Sequence, residues 1–177
     1  LVGPTHATDL RGPNRCELLT EAEVTAITAR LGPDPLRPDA DPGPALDRIA
    51  SSASPIAALL LDQRIMAGVG NVYRAEVLFR HGIDPMLPGR SIGRERAGQL
   101  WDDLVALMAD GVARGRIDTV RPEHTPQAMG RQPRQDRHGG EVYVYRRAGS
   151  PCLICGTTVA MRTLQGRKLY WCPTCQS

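Results

Sequence analysis

The feature that most constrains this chain lies near its C-terminus, where Cys152-x2-Cys155 is followed after sixteen residues by Cys172-x2-Cys175. A Cys-x2-Cys turn aims two thiolates at one point, and a hairpin between two such turns brings all four onto a tetrahedron. That spacing is the one a four-cysteine zinc ribbon needs. Two redox dithiols or a pair of disulfides are the other readings, and a fifth cysteine, Cys16, argues against a disulfide framework. Four thiolates leave no open coordination position, so the expected cofactor is one structural Zn2+ per chain, held by Cys152, Cys155, Cys172 and Cys175. Cys16, standing alone, reads as a buried or idle thiol.

Elsewhere the 177 residues are 41% hydrophobic and 23% charged, which excludes a disordered tail and leaves room for one or two small domains. No apolar run is longer than that of residues 56–61, far short of the roughly 18 residues of a membrane span. No membrane partner is expected, and the anticipated location is cytoplasmic, with the nucleoid. Charge is uneven. Residues 1–62 carry nine acids against five arginines, whereas residues 63–177 carry ten acids against seventeen bases, and from Val142 onward there are five bases and no acid. A basic half suits a polyanionic partner, although a solvated surface in an arginine-rich protein has the same composition. Only Lys168 among the 22 bases is lysine.

Punctuation along the chain predicts a mainly α protein with a small β ribbon. Residues 1–19 read as an irregular lead-in. Thr20 and Glu23 form a capping box, Leu19 and Val24 occupy staple positions, and Gly32-Pro33 ends the helix that follows. Five prolines within residues 32–44 describe a linker, so residues 1–43 form one segment. Leu46, Ile49, Ala50 and Ala53 then recur at helical spacing, and Ser54-Pro55 opens a helix carrying Ile56, Leu59 and Leu60. Two glycines, Gly68 and Gly70, precede Asn71, which reads as the N-cap of a third helix ending at Gly82. A fourth helix is expected over residues 91–110, stopped by Gly111, with an inward stripe of Leu100, Leu104, Leu107 and Met108. Residues 44–113 are therefore a helical domain with a DNA-binding type of helix hairpin. Residues 114–141, with six arginines, two histidines and three prolines, read as a mobile basic loop. His124 and His138 have no spaced partners and read as exposed loop residues more readily than as ligands. Alternation over residues 142–145 predicts a strand leading into a zinc ribbon over residues 142–177.

Leu59-Leu60-Leu61-Asp62-Gln63 together with Gly68-Val69-Gly70-Asn71-Val72-Tyr73-Arg74-Ala75-Glu76-Val77-Leu78-Phe79 resembles the helix-two-turn-helix element of the formamidopyrimidine-DNA glycosylase and endonuclease VIII family. Gly149-Ser150-Pro151-Cys152 and Gly166-Arg167-Lys168-Leu169-Tyr170-Trp171-Cys172-Pro173-Thr174-Cys175-Gln176 resemble that family's C-terminal zinc finger, with wording closer to endonuclease VIII. Leu31-Gly32-Pro33-Asp34-Pro35-Leu36 is similar to the family's junction, so the likeness spans residues 31–177.

The resemblance implies a helix-two-turn-helix domain followed by a four-cysteine zinc finger, in the DNA-binding C-terminal part of a base-excision glycosylase and abasic-site lyase. It implies that Asn71, at a helix start beside Gly70, and Arg167, at the tip of the zinc hairpin beside Lys168, contact DNA phosphates. Unpaired N–H groups at a helix start are themselves suited to phosphate. The implied partner is double-stranded DNA with a damaged base or abasic site, bound by a monomer.

Family members use an N-terminal proline followed by glutamate, and a lysine from an N-terminal β-domain. This chain begins Leu1-Val2-Gly3-Pro4, and Pro4 has an amide nitrogen that cannot form a Schiff base. No catalytic residue is carried over, the chain is expected to continue a preceding segment, and by itself it is expected to be inactive. A stand-alone nucleic-acid-binding zinc protein and an RNA-binding ribosome-associated protein are the alternatives.

Overall fold

Residues 2–8, 17–135 and 140–177 are described by a computed structural model; Cys16 and His138 lie outside these described residues. The chain divides into two compact units, residues 1–30 and 31–177.

In the first unit, α1 (Glu21–Thr28) begins at the expected capping box. Glu23 N–H donates to Thr20 Oγ1 while Thr20 N–H donates to Glu23 Oε2 at 2.8 Å, so two otherwise orphaned helix-start donors are satisfied. Val24 and Ile27 of this helix are exposed.

The second unit is built around α2 (Gly43–Ser51), α3 (Ile56–Leu59), α4 (Asn71–Arg80) and α5 (Gly89–Arg114). Ile49, Ile56, Leu60, Met66, Val77, Leu78, Leu100 and Leu104 form its apolar centre, and the α5 stripe of Leu100, Leu104, Leu107 and Met108 is buried as expected. Residues 32–44 are not a free linker: Gly32 N–H donates to Gln63 O and Ala67 N–H donates to Pro33 O, which fastens the proline-rich stretch to the helix hairpin. Gly111 does not stop α5. Its missing Cβ is used by packing, because a methyl there would stand 2.2 Å from the Tyr73 hydroxyl. The helix instead ends at Gly115, whose left-handed backbone (φ 65°) caps it, and it is broken near its start at Gly93 (φ 76°).

Residues 114–141 also depart from expectation. Among the described ones are a 3-10 turn (Pro122–His124) and α6 (Pro126–Met129), and Arg121 N–H donates to the Tyr143 hydroxyl at 2.8 Å. Thr119 is buried, Arg131 pairs with Glu141 at 2.6 Å, and Arg116 pairs with Asp118 at 2.7 Å, so much of the positive charge is spent internally. His124 is half-buried, its Nδ1 lying 2.8 Å from the Tyr143 hydroxyl.

No strand forms over residues 142–145. The three consecutive N–H groups of Tyr143, Val144 and Tyr145 all donate to the Glu76 carboxyl, at 2.6, 2.9 and 2.8 Å, and are unavailable to a ladder. The ribbon proper is the antiparallel pair β1 (Ala160–Leu164) and β2 (Arg167–Trp171), in register Thr163 with Lys168 and Leu164 with Arg167. Gln165 (φ 49°) and Gly166 (φ 73°) turn the hairpin, both in the left-handed region that a tight two-residue turn requires.

Candidate functional site

The helix-two-turn-helix hairpin runs from α3 through two turns into α4. Gln63 sets the second turn: its side-chain oxygen accepts from Gly68 N–H at 2.8 Å, and its amide donates to Val69 O at 3.0 Å. Gly68 adopts φ 79°, and a Cβ there would press on Met108 and Asp34. The cap of α4 is Gly70, not Asn71, which is the first helical residue. A Cβ at Gly70 would meet nothing within 4 Å, so the space beside the helix start is open.

Freed from capping, the Asn71 side chain reaches the ribbon, where its Nδ2 donates to Lys168 O at 2.9 Å. Arg74, one turn further along α4, donates to Asn71 Oδ1 and to Lys168 O. Asn71, Arg167 and Lys168, so distant in sequence, thus line one open groove of about 670 Å³ together with Tyr145, Arg146, Met161 and Tyr170. No acid lines it. Arg146 lies over the Tyr145 ring, 5.5 Å from its centroid, in a left-handed backbone (φ 55°) that arginine rarely adopts. Tyr145 and Tyr170 meet edge to face at 5.5 Å.

Sequence reasoning missed Tyr145, Arg146 and Arg74. Tyr145 sat at the end of the strand expected over residues 142–145, and Arg146 directly follows it. Arg74 had a usable signal, since a cation three residues after Asn71 shares its helix face.

On the far side of the hairpin, the thiol sulfurs of Cys152, Cys155, Cys172 and Cys175 all lie within 4.8 Å of one another. Cys155 and Cys172 are 3.4 Å apart and Cys152 and Cys175 are 3.9 Å apart, close to the roughly 3.8 Å edge of a tetrahedron with Zn–S bonds of about 2.3 Å. All four are free thiols, which removes the disulfide reading. Each Cys-x2-Cys turn is closed alike: Gly156 N–H donates to Cys152 O and Gln176 N–H donates to Cys172 O. Hydrogen bonds from Thr157 draw the Cys155 thiol down to a pKa of about 6, whereas burial pushes the Cys172 and Cys175 thiols up, so the geometry of the four sulfurs and not their acidity carries the metal reading. The donor set fits one structural zinc ion, all four positions being filled by sulfur.

Two polar pins dock the ribbon on the helices. Glu76, fully buried on α4, accepts from the three ribbon N–H groups and from Thr119 Oγ1 at 2.7 Å. Gln176, also buried, accepts from Cys172 N–H at 2.9 Å and donates to Ile83 O at 3.0 Å. Leu169 of β2 enters the helical core.

Comparison with known proteins agrees with this anatomy. Residues 31–122 match the family described as formamidopyrimidine-DNA glycosylase H2TH domain, and residues 149–177 match the zinc finger found in FPG and IleRS. Endonuclease 8 1 of Mycobacterium bovis is 52% identical over all 177 residues, which cover 65% of that protein. The chain thus spans somewhat less than two thirds of the length of this curated relative. The crystal structure of MutM (Fpg) from Thermus thermophilus superposes with a TM-score of 0.67 at 36% identity, over 88% of this chain and 57% of that one. A Lactococcus lactis Fpg in complex with DNA containing an abasic site has the same fold, with a TM-score of 0.67 at 23% identity, over 89% of this chain and 55% of that one. With a helix-two-turn-helix element and a zinc finger matched in that order and meeting at Asn71 and Lys168, the chain belongs to the formamidopyrimidine-DNA glycosylase family, of which it represents the C-terminal part.

Proposed function

We propose that this chain is the DNA-gripping portion of a base-excision glycosylase and abasic-site lyase that acts on oxidised bases and abasic sites. The carrying observation is the groove where the start of α4 meets the hairpin tip, lined among the described residues by bases and by no acid. There Gly70 leaves the helix start open to a phosphate, Asn71 supplies a neutral amide donor, and Arg167 and Lys168 supply charge. The zinc ion holds the hairpin that carries the two bases and takes no part in chemistry. In this reading residues 31–113 are the helical domain, 114–141 a connecting arm and 142–177 the ribbon, and the partner is duplex DNA in the nucleoid. The single lysine, Lys168, serves phosphate and not a sugar carbon, so borohydride should trap no adduct of this chain with abasic DNA.

Binding at several salt concentrations to a short duplex with an abasic-site analogue, to the intact duplex and to structured RNA tests the proposal. Affinity for the abasic duplex is expected to be highest and to fall steeply with salt. Arg167→Ala should weaken binding and reduce the log-log slope by about one. Equal or tighter binding to structured RNA would favour a ribosome-associated role instead. An unchanged affinity and slope for Arg167→Ala would remove the groove from the interface.

A further inference from the structure

Arg74 is fully buried, yet among the described residues no carboxylate lies within ion-pair distance of it. Its partners are neutral oxygens: Asn71 Oδ1, Lys168 O at 3.2 Å and Ala57 O at 3.4 Å. Its Nε has no acceptor. Burial, with repulsion from Arg167 added, draws its pKa down to about 10, and the group stays cationic at neutral pH. Contrast Glu76, two residues on and equally buried, which collects four hydrogen bonds. An unpaired buried cation is costly, and for packing alone an apolar side chain of similar volume would serve better.

What the cation does is visible in its neighbours. A side-chain amide has an acceptor end and a donor end, and only a strong donor on one side fixes which way it faces. The Arg74 guanidinium occupies the Oδ1 side of Asn71, so Nδ2 is the end left for Lys168 O and the groove. Arg74 also shares the Lys168 carbonyl with Asn71, joining α4 to the hairpin at the point where Arg167 and Lys168 emerge.

We infer that Arg74 is a positioning residue for phosphate binding: it locks the Asn71 amide with its donor end toward the groove and ties that amide to the hairpin tip. The inference rests on the proposed DNA-binding reading of the groove. Asn71 is then the residue the site requires, because aspartate would pair with Arg74 but repel a phosphate.

One arm of the test needs no DNA. Asn71→Asp places a carboxylate beside the unpaired guanidinium but sets its second oxygen against Lys168 O, so it should lower Tm by at least about 4 °C more in an Arg74→Met background than in the parent. The second arm measures binding to a duplex with an abasic-site analogue. Arg74→Met should weaken binding about tenfold in the parent but less than about twofold in an Asn71→Ala background, the signature of two residues acting as one. Arg74→Lys, which keeps a donor and the charge, should recover part of the loss. Equal losses from Arg74→Met in both backgrounds, or equal Tm shifts from Asn71→Asp with and without Arg74, overturn the inference. If Arg74→Met does not fold, Arg74→Gln, which removes the charge but keeps a neutral donor, takes its place in both arms. Should the parent fail to bind DNA at all, the functional proposal falls while the thermal arm still reports on the Arg74–Asn71 coupling.

Discussion

The two sides of the groove are held by different physics. Asn71 projects from a helix backed by a continuous apolar cluster running from Ala45 to Met108, and each fully buried leucine or isoleucine there contributes about 1.5–3 kcal/mol. Arg167 and Lys168 project from a ribbon whose own cluster is little more than Tyr143, Val144, Val159, Tyr170 and two cysteines, closing on Ala75 and Phe79 of α4. A module that small cannot offset its ordering entropy by burial. Metal and polar pins replace the missing core. The helical side should therefore survive insults that detach the hairpin side, and the groove should fail whenever either side does.

The largest expected effect tests this directly. Protein purified without chelator should contain one zinc per chain, and site energies of this type are on the order of 10 kcal/mol. Strong chelation, or Cys172→Ser, should melt the ribbon and reduce DNA affinity to a weak, non-specific level while far-UV circular dichroism keeps most of its helical amplitude. Loss of helical signal at the same chelator concentration as loss of zinc would break the comparison.

Next in size is the pin at Glu76. Replacing it with glutamine keeps the shape but turns one of two oxygens into a donor facing donors, since Oε1 receives Val144 and Tyr145 and Oε2 receives Tyr143 and Thr119. At least one buried N–H is stranded, at about 1–3 kcal/mol each. Glu76→Gln should cost about 3 kcal/mol, and amide exchange at Tyr143, Val144 and Tyr145 should accelerate before that of α5 does. Uniform acceleration across both regions would mean that the pin supports the whole fold and not the ribbon docking.

Those two features differ sharply in how readable they were. The cysteine quartet and the Thr20–Glu23 capping box are local, so spacing alone specifies them. The errors come from tertiary partners. Alternation over residues 142–145 predicts a strand, but a buried carboxyl 67 to 69 residues away claims the N–H groups a strand needs. Gly111 reads as a stop because glycine weakens helices, yet here its hydrogen makes room for Tyr73. Asn71 is a good N-cap by type, and Gly70 takes that place while the amide is drawn to Lys168 and Arg74. A glutamate inside the run Ala75 to Phe79 was the one visible hint of the Glu76 pin, because a charged residue on an apolar helix face must find partners.

The smallest effect should come from a carboxylate on the other side, within the helical core. Asp103 of α5 receives Arg80 through two bonds of 2.7 Å, and His81 Nε2 lies 3.2 Å away. Burial alone would push this carboxyl up, but His81 and Arg80 together outweigh it and hold it well below the usual carboxylate range. A carboxylate whose pKa is depressed by folding contributes stability that is complete above its unfolded value of about 3.9 and is lost as pH falls toward the folded value. Asp103→Asn should therefore cost about 1–3 kcal/mol at neutral pH, with a gap to the parent that is flat from about pH 5 upward and narrows on acidification. Urea unfolding at a series of pH values measures it. The cost should remain below that of Glu76→Gln, because Arg80 keeps the Thr119 carbonyl at 2.8 Å and α4 and α5 keep their shared apolar core. A larger cost, or a gap that widens as pH falls, would show that the helical side leans on polar pins as heavily as the ribbon does.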